Sequence, residues 1–482
     1  MSTENRSRRL LVVNGRLALP GADEPTDAEI AIVDGRIAQI GRGLERAGAT
    51  IIDARGLLVL PGAIDPHVHF FDPGYTHKED FFHGSAASAS GGVTTVIDMP
   101  DTSDPAAIDG ASVEAKWRSV GERSVIDFGL FGGISGALCD GDLERRIAEM
   151  STEVCGIKTY ETSGAARFPR VSHWQYTEIL PLTRAHDAIV LVHAEDWDLV
   201  SGGTPVWRAA GSSPRDFYRS RPELAEVLSV FSVTEIAETV GAPMHIVHLG
   251  VGRAAEIVAG RTVVSGETCP QYLAFDVDDF ERAGGAMKIT PPVKGPAEKE
   301  RLWEMLSDGA IDFIASDHAP GTVEEKSTGD IWTDYAGIPG GPVVFPYALS
   351  EGYLSGRMGL ARFVEITSGA AARRYRLDDR KGAIAIGRDA DLVFVDPAGT
   401  TTVDAATSLS KGRVTPWDGR TLKGAVERTM VRGETVWTRE TGLEVDAGFG
   451  EFLRPDRRTS AAAWRRAPYP RRGMADAAGT GS

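Results

Sequence analysis

Apolar residues fall in short bursts along the first sixty positions. Leu10-Leu-Val-Val-Asn-Gly15, Glu29-Ile-Ala-Ile-Val-Asp-Gly35, Arg36-Ile-Ala-Gln-Ile40 and Thr50-Ile-Ile-Asp53 are rich in branched side chains, and most stop at Asn-Gly or Asp-Gly. That pattern predicts strands joined by tight turns. The same texture returns in Ala390-Asp-Leu-Val-Phe-Val-Asp396 and Glu427-Arg-Thr-Met-Val-Arg-Gly433. Residues 1–60 and 376–445 are therefore expected to form one small β domain that brackets the middle.

The middle has a different rhythm. Apolar, β-branched runs recur at 63–70, 93–99, 125–131, 156–160, 189–193, 245–249, 262–265 and 313–316. Helix-like stretches fill most intervals, at 112–120, 143–150, 223–240 and 297–306. Alternation of this kind predicts an α/β chain with a (β/α)8 barrel over 61–375. Its ~310 residues exceed the ~250 usual for that fold, which leaves room for long loops. An open doubly wound sheet fits less well, because no Gly-rich phosphate turn follows the first run. From 446 to 482 the chain becomes an Arg- and Pro-rich arm, with Arg454, Arg457, Arg458, Arg465, Arg466, Arg471 and Arg472 among Pro455, Pro468 and Pro470. Two readings stand for it: a solvated tail, or an arm packed on a neighbouring subunit. The final Ala-Gly-Thr-Gly-Ser482 is expected to be disordered either way.

Composition narrows the field. The 482 residues carry 52 Lys plus Arg against 68 Asp plus Glu, a net charge of −16. Such a chain lacks the basic excess of a nucleic-acid binder. Cys139, Cys155 and Cys269 are far apart, so neither a disulfide framework nor a thiolate zinc site is indicated. No signal-peptide pattern and no run of about 18 apolar residues occurs, so neither secretion nor a membrane span is expected. A reducing cytoplasm fits.

Chemistry enters at Asp65-Pro-His67-Val-His69. Residues two apart on a strand share a face, so His67 and His69 point the same way about 7 Å apart. His193 ends the fifth run, His248 the sixth and Asp317 the eighth. Strand C-termini form the active face of a barrel, and four imidazoles with a carboxylate there read as a metal constellation. The remaining histidines, His77, His83, His173, His186, His245 and His318, are set aside as loop, helix or core residues. His245, three positions before His248, is expected on the opposite strand face. Lys158, in Gly156-Ile-Lys-Thr-Tyr160, would be a buried cation if it points inward. Either it pairs with an acid such as Glu161, or it is a neutral amine that has reacted with carbon dioxide to give an anionic carbamate.

These residues, with Pro61-Gly-Ala-Ile-Asp-Pro-His-Val-His69, Gly91-Gly-Val-Thr-Thr-Val-Ile-Asp-Met-Pro100, Val192-His-Ala-Glu195, Glu267-Thr-Cys-Pro-Gln-Tyr-Leu273, Pro291-Pro-Val-Lys294 and Ser316-Asp-His-Ala-Pro320, resemble the cyclic amidohydrolases of the amidohydrolase superfamily. That group includes hydantoinases, dihydropyrimidinases, allantoinases and dihydroorotases. The resemblance covers nearly the whole chain. It implies a TIM-like barrel with a small β-sandwich built from both chain ends. It also implies two divalent metal ions: His67, His69 and Asp317 on the more buried one, His193 and His248 on the other, and carboxylated Lys158 bridging. Zinc is usual in the family, and nitrogen and oxygen donors without thiolate also suit manganese or cobalt. Asp317 would double as the general acid–base. A cytoplasmic homotetramer or homodimer is implied, with Phe452-Leu-Arg-Pro455 resembling family tails that reach across subunits.

The ring is narrowed by departures from pattern. Dihydroorotases place an Arg where Phe71 stands and an Asn where Asp101 stands, so partners for an anionic substrate are missing. Hydantoinases and dihydropyrimidinases place a Tyr where Ser163 stands and an Asn where Gly340 stands, which argues against an ordinary dihydropyrimidinase. Allantoinases resemble the chain better around Ser163-Gly164, Trp174-Gln175 and Pro291-Pro292, although Phe71 departs from their usual small polar residue. Tyr160 is either an oxyanion donor or a core residue, and Thr290 would orient the ring through its backbone. The expectation is a binuclear hydrolase of a small cyclic amide or ureide, allantoinase- or hydantoinase-like; Phe70 and Phe71 either make one apolar wall of the pocket or belong to the core. The alternatives are a dihydroorotase, a dihydropyrimidinase or, remotely, a non-catalytic scaffold of the same fold. No nucleic-acid or membrane partner is expected.

Overall fold

In a computed structural model the chain is described over residues 8–164 and 167–464. Arg465, Arg466, Pro468, Pro470, Arg471, Arg472 and the last five residues lie outside that range.

Both ends of the chain enter one nine-stranded sheet. The early strands are β1 (Arg9–Leu17), β2 (Thr26–Val33), β3 (Arg36–Gly41), β4 (Thr50–Asp53) and β5 (Leu58–Pro61). Their branched apolar residues fill a buried layer of Leu10, Val12, Ile30, Ile32 and Val59, with Leu11, Val13 and Ala31 in a smaller one. β5 continues into the middle of the chain through Gly62, where an added Cβ would lie 2.1 Å from Thr94 Oγ1.

The middle contributes β6 (Ala63–Val68), β7 (Val93–Asp98), β8 (Asp127–Leu130), β9 (Gly132–Gly133), β10 (Ile157–Tyr160), β11 (Val190–His193), β12 (Met244–Ile246), β13 (Val264–Thr268) and β14 (Phe313–Ile314). Each run expected from the sequence overlaps one of these strands, and β9 is an extra two-residue strand. They form two parallel sheets, β6-β7-β8 and β9 to β14 in chain order. At one junction the Phe131 amide donates to Asp98 O at 2.9 Å and the Gly132 amide to Gly156 O at 3.0 Å. At the other, the His69 amide donates to His318 O at 2.7 Å. Helices alternate with the strands, including Gly110–Gly121, Leu143–Ser151, His173–Ala185, Glu223–Val240 and Pro296–Asp308. Asp109 and Ser172 cap two of them through paired bonds to the third helical residue, as Asx and Ser side chains do.

Alternation along these strands sorts side chains into two layers. Val190 and Val192 join an outer layer with the helices, while Leu191 joins an inner one with Ile97, Phe131 and Phe313. In register with Leu191 stand Lys158 on β10 and His245 on β12, and beside His245 stands Ser265 on β13. Neighbours in register share a face, so Lys158, His245 and Ser265 all point inward.

The chain returns to the first sheet as β15 (Leu392–Thr402), β16 (Thr421–Val431), β17 (Glu434–Thr438) and β18 (Gly442–Leu443). The sheet order is β18-β17-β16-β15-β5-β1-β2-β3, with β4 beside β1. An ionic knot ties it to β8: buried Lys381 Nζ lies 2.5 Å from Asp127, 2.9 Å from Asp389 and 2.7 Å from Asp391, and Arg432 also pairs with Asp127. The ammonium thus occupies the centre of this acidic cluster.

Over its described part the arm is not a solvated tail but packs on its own chain. Phe452 stacks on Trp117 at 5.4 Å, Leu453 is buried, Arg454 pairs with Glu153 at 2.8 Å, and Ser460 Oγ donates to Asp187 at 2.7 Å. These partners lie just before β8, β10 and β11, so the arm crosses the N-terminal strand ends of its own chain. Aromatic stacking and matched charge hold it there. Among the described residues, no helix is long and apolar enough to cross a membrane.

Candidate active site

The C-terminal strand ends open on a cavity of about 400 Å³. His67, His69, Lys158, His193, His248 and Asp317 all line it. His67 Nε2 and His69 Nε2 lie 3.2 and 3.3 Å from Asp317 Oδ1. The three residues offer ligand atoms within 4.8 Å of one another. His193 Nδ1 and His248 Nε2 face each other at 3.0 Å, and the rings of His67 and His248 are 5.6 Å apart. The sequence-predicted constellation is one cluster.

Backbone geometry explains part of this convergence. By strict alternation His248 would join Ile246 in the outer layer, but β12 stops at Ile246 and His248 takes a left-handed conformation with φ 41°. Asp317, beyond β14, does the same at φ 50°. Such conformations are unfavourable for non-glycine residues and cluster at functional sites. The expectation for His245 is corrected here: it points into the interior, below the cavity.

Burial governs the electrostatics. It drives His67, His193 and His248 below the usual histidine value, so their rings are neutral with lone pairs available. Burial alone would raise Asp317, yet His67, His69 and His248 outweigh it and hold the carboxyl ionised. Burial pushes the Lys158 ammonium down to about 8, against the pull of Asp101 and Asp317. The ion pair between Lys158 and Glu161 is not formed. Glu161 accepts from His173 Nε2 at 2.8 Å and from Ser229 Oγ, on the other side of β10.

Two carboxylates stand behind the imidazoles. Glu267 Oε1 lies 2.5 Å from His67 Nδ1, and its other oxygen lies 3.1 Å from His245 Nε2. Glu195 Oε2 lies 2.9 Å from His193 Nε2 and also accepts from Arg221. Thr102 Oγ1 lies 3.2 Å from His69 Nδ1. Partners of this type fix ring orientation in metal sites. Sequence reasoning gave these residues no role. One signal was available for Glu267: an acid on an inward strand position must have a partner.

Of the expected substrate contacts, Phe71, Asp101, Tyr160, Ser163 and Thr290 line the cavity. Phe71, at φ 57°, meets Tyr335 edge-on at 6.2 Å. The Tyr160 hydroxyl is bonded to Asp101, and burial with that neighbour raises its pKa well above the ordinary value. The Ser163 hydroxyl donates to Phe168 O at 2.6 Å within its own loop. Gly340 is displaced from the wall. Its amide donates to His318 Nδ1 at 3.2 Å and an added Cβ would lie 2.8 Å from Ser316 O, while Gly337 lines the cavity instead. Three cations that the sequence did not suggest also line it: Lys78, Arg167 and Arg221. Each has an acidic partner: Glu325 at 2.8 Å for Lys78, Asp104 at 3.7 Å for Arg167, and Glu195 for Arg221.

Comparison with known proteins adds a second line of argument. The Amidohydrolase family matches residues 58–436. An allantoinase of Solibacter usitatus is 37% identical over 90% of this chain and 94% of its own. One of Rubrobacter xylanophilus is 36% identical over 93% and 98%. Among solved structures, the L-hydantoinase (dihydropyrimidinase) of Arthrobacter aurescens superimposes with a TM-score of 0.87 at 31% identity, covering 92% of this chain and 99% of that one. The dihydropyrimidinase of Brevibacillus agri NCHU1002 gives 0.86 at 27%, covering 93% and 99%.

Proposed function

This chain belongs to the amidohydrolase family and is a hydrolase of cyclic amides, and from that premise we propose that it opens the ring of allantoin. The reading extends to the fold: the two parallel sheets are one (β/α)8 barrel over 61–375, and the nine-stranded sheet is a β-sandwich from 1–60 and 376–445. A cytoplasmic homodimer or homotetramer belongs to the same reading.

The observation that carries it is the convergence of four imidazoles, one ionised carboxylate and one buried amine on a single cavity. That donor set fits a pair of divalent cations. His67, His69 and Asp317 would hold one, His193 and His248 the other, with carboxylated Lys158 between them. Zinc is the first choice, and manganese or cobalt suit the same donors. The ions would supply Lewis acidity, acidifying a water and polarising the ring carbonyl.

The chain's own groups do the rest. Burial leaves a useful fraction of Lys158 as free amine, which adds to carbon dioxide through a new N–C bond and releases a proton. Asp317 takes the proton of the attacking water as the C–O bond forms. It returns that proton to the ring nitrogen as the C–N bond breaks, leaving an open carbamoyl acid. Phe71 and Tyr335 supply an apolar wall, Phe70 being instead a core residue packed on Phe81 and His318, and Glu267 and Glu195 keep the imidazoles aimed.

A neutral ureide suits this cavity. Lys78, Arg167 and Arg221 are already matched by carboxylates, and Asp101 adds negative charge where dihydroorotases carry an amide. The test is ring opening by zinc- and bicarbonate-loaded protein on allantoin, hydantoin, a 5-aryl hydantoin, dihydrouracil and dihydroorotate. Allantoin should give the highest kcat/KM. Turnover of dihydroorotate alone overturns the substrate assignment, and protein that retains no ion overturns the metal reading.

A further inference from the structure

The two carboxylates behind the imidazoles are anchored in opposite ways. Glu267 is enclosed: its second partner, His245, ends on Ser265 Oγ at 2.7 Å in the interior. Glu195 is anchored by Arg221, and Arg221 lines the cavity itself. Both contacts to Glu195 fall on Oε2, and its buried Oε1 has no hydrogen-bond partner. Arg221 is placed by a turn between two helices, Pro214–Arg219 and Glu223–Val240. Its amide donates to Tyr218 O at 3.0 Å, and its guanidinium lies 5.7 Å from the Phe217 ring.

We propose that Arg221 is the positioning residue for His193, and that through Glu195 it links the cavity to the His193/His248 side of the site. A guanidinium carries five N–H donors in a rigid fork. One holds Glu195 so that its Oε2 accepts a hydrogen bond from the His193 Nε2–H, which leaves the His193 Nδ1 lone pair aimed at His248. The cavity-facing part of the fork is within reach of a ligand carbonyl. A group bound there and the imidazole behind Glu195 therefore share one support. The His67 side has no such link, because Glu267 is anchored on His245. This inference rests on the reading of His193 as a cation ligand.

The test compares zinc- and bicarbonate-loaded wild type with Arg221→Gln and Arg221→Lys. Ions per chain are counted after timed exposure to EDTA. The outer-sphere partner is worth 10–100-fold in metal affinity. Arg221→Gln leaves that partner, Glu195, in place but unanchored, and should therefore lose about one ion up to about tenfold faster than wild type while the other stays, with Arg221→Lys between. In ion-free protein, ring 15N shifts should show His193 as the Nε2–H tautomer in wild type and as a mixture in Arg221→Gln. A merely structural role would not move that signature. If Arg221→Gln fails to fold, Arg221→Lys decides by the same two measurements. Wild-type ion retention and tautomer in the folded variants overturn the proposal, as does equal loss of both ions. Wild type that binds no zinc at all instead removes the reading beneath it.

Discussion

Glu267→Gln isolates what a buried charge contributes to this site. The carboxylate accepts from His67 Nδ1 at 2.5 Å and meets His245 Nε2 at 3.1 Å, and all three side chains are buried. The amide keeps the shape. Its oxygen still accepts from His67, and its NH2 can donate to His245 Nε2 once the His245 proton moves to Nδ1, where Ser265 Oγ at 2.7 Å accepts it. Every donor stays paired, so folding stability should change by less than about 1 kcal/mol. Burial raises the Glu267 carboxyl well above its usual pKa, so its negative charge develops as a cation binds His67, and the amide has no charge to supply. A hydrogen bond to a charged group contributes about 1.5–3 kcal/mol, which converts to about 10–150-fold in affinity. That agrees with the 10–100-fold cost of losing such a partner in metal sites. Zinc affinity, measured by chelator competition with ion counting, should drop by that factor on the His67 side. Thermal melts of ion-free protein should be nearly unchanged. Glu267→Leu is the contrast: it strands two buried imidazole groups and should cost several kcal/mol of stability. Zinc binding by Glu267→Gln within twofold of wild type would refute the reasoning, and so would a stability loss equal to that of the Leu variant.

Other expectations are simpler. Asp101→Asn removes the carboxyl partner of the Tyr160 hydroxyl and should lower kcat/KM for allantoin by about tenfold in steady-state assays, the scale of one strong hydrogen bond. The Glu161 carboxylate, 2.8 Å from His173 Nε2, holds that imidazole above its usual pKa despite partial burial. Its stabilisation is full below the unfolded value of about 6.5 and is lost as pH rises through the higher folded value. Solvent screens the half-exposed ring, so the effect should stay under about 1 kcal/mol, and His173→Asn should show a smaller fall in Tm than wild type across that window. Phe452→Ala unstacks the arm from Trp117 and Phe128 and should cost about 2 kcal/mol by denaturant titration. Activity per folded molecule should hold, since the arm crosses the strand ends opposite the cavity.

What the sequence made legible follows from which physical rules operate locally. Strand runs in the middle announce themselves because side chains buried on both faces must be apolar along their whole length. His193 and Lys158 sit on such strands, where a two-residue period is enough to aim them inward, and the same period puts His67 and His69 on one face beyond the register break in β6. The same rule misleads where a strand stops. It put His245 on the opposite face from His248, but His248 reaches the cavity only because its backbone turns left-handed one step past β12. Asp317 and Phe71 share that conformation, at φ 50° and 57°. Three of the side chains aimed at the cavity therefore occupy positions where local preference is overruled, each at a cost of roughly 1–3 kcal/mol that surrounding contacts must offset. Arg221 and Glu195 were hidden for another reason: no periodicity links a turn between two helices to a residue just past β11. The solvated-tail reading failed because the arginines read as free charge, while Phe452 and Leu453 beside them dock the arm on the chain's own strand ends opposite the cavity. Periodic rules thus find the frame of this site, and the residues that tune it lie where elements end, so their roles come from contacts distant in sequence.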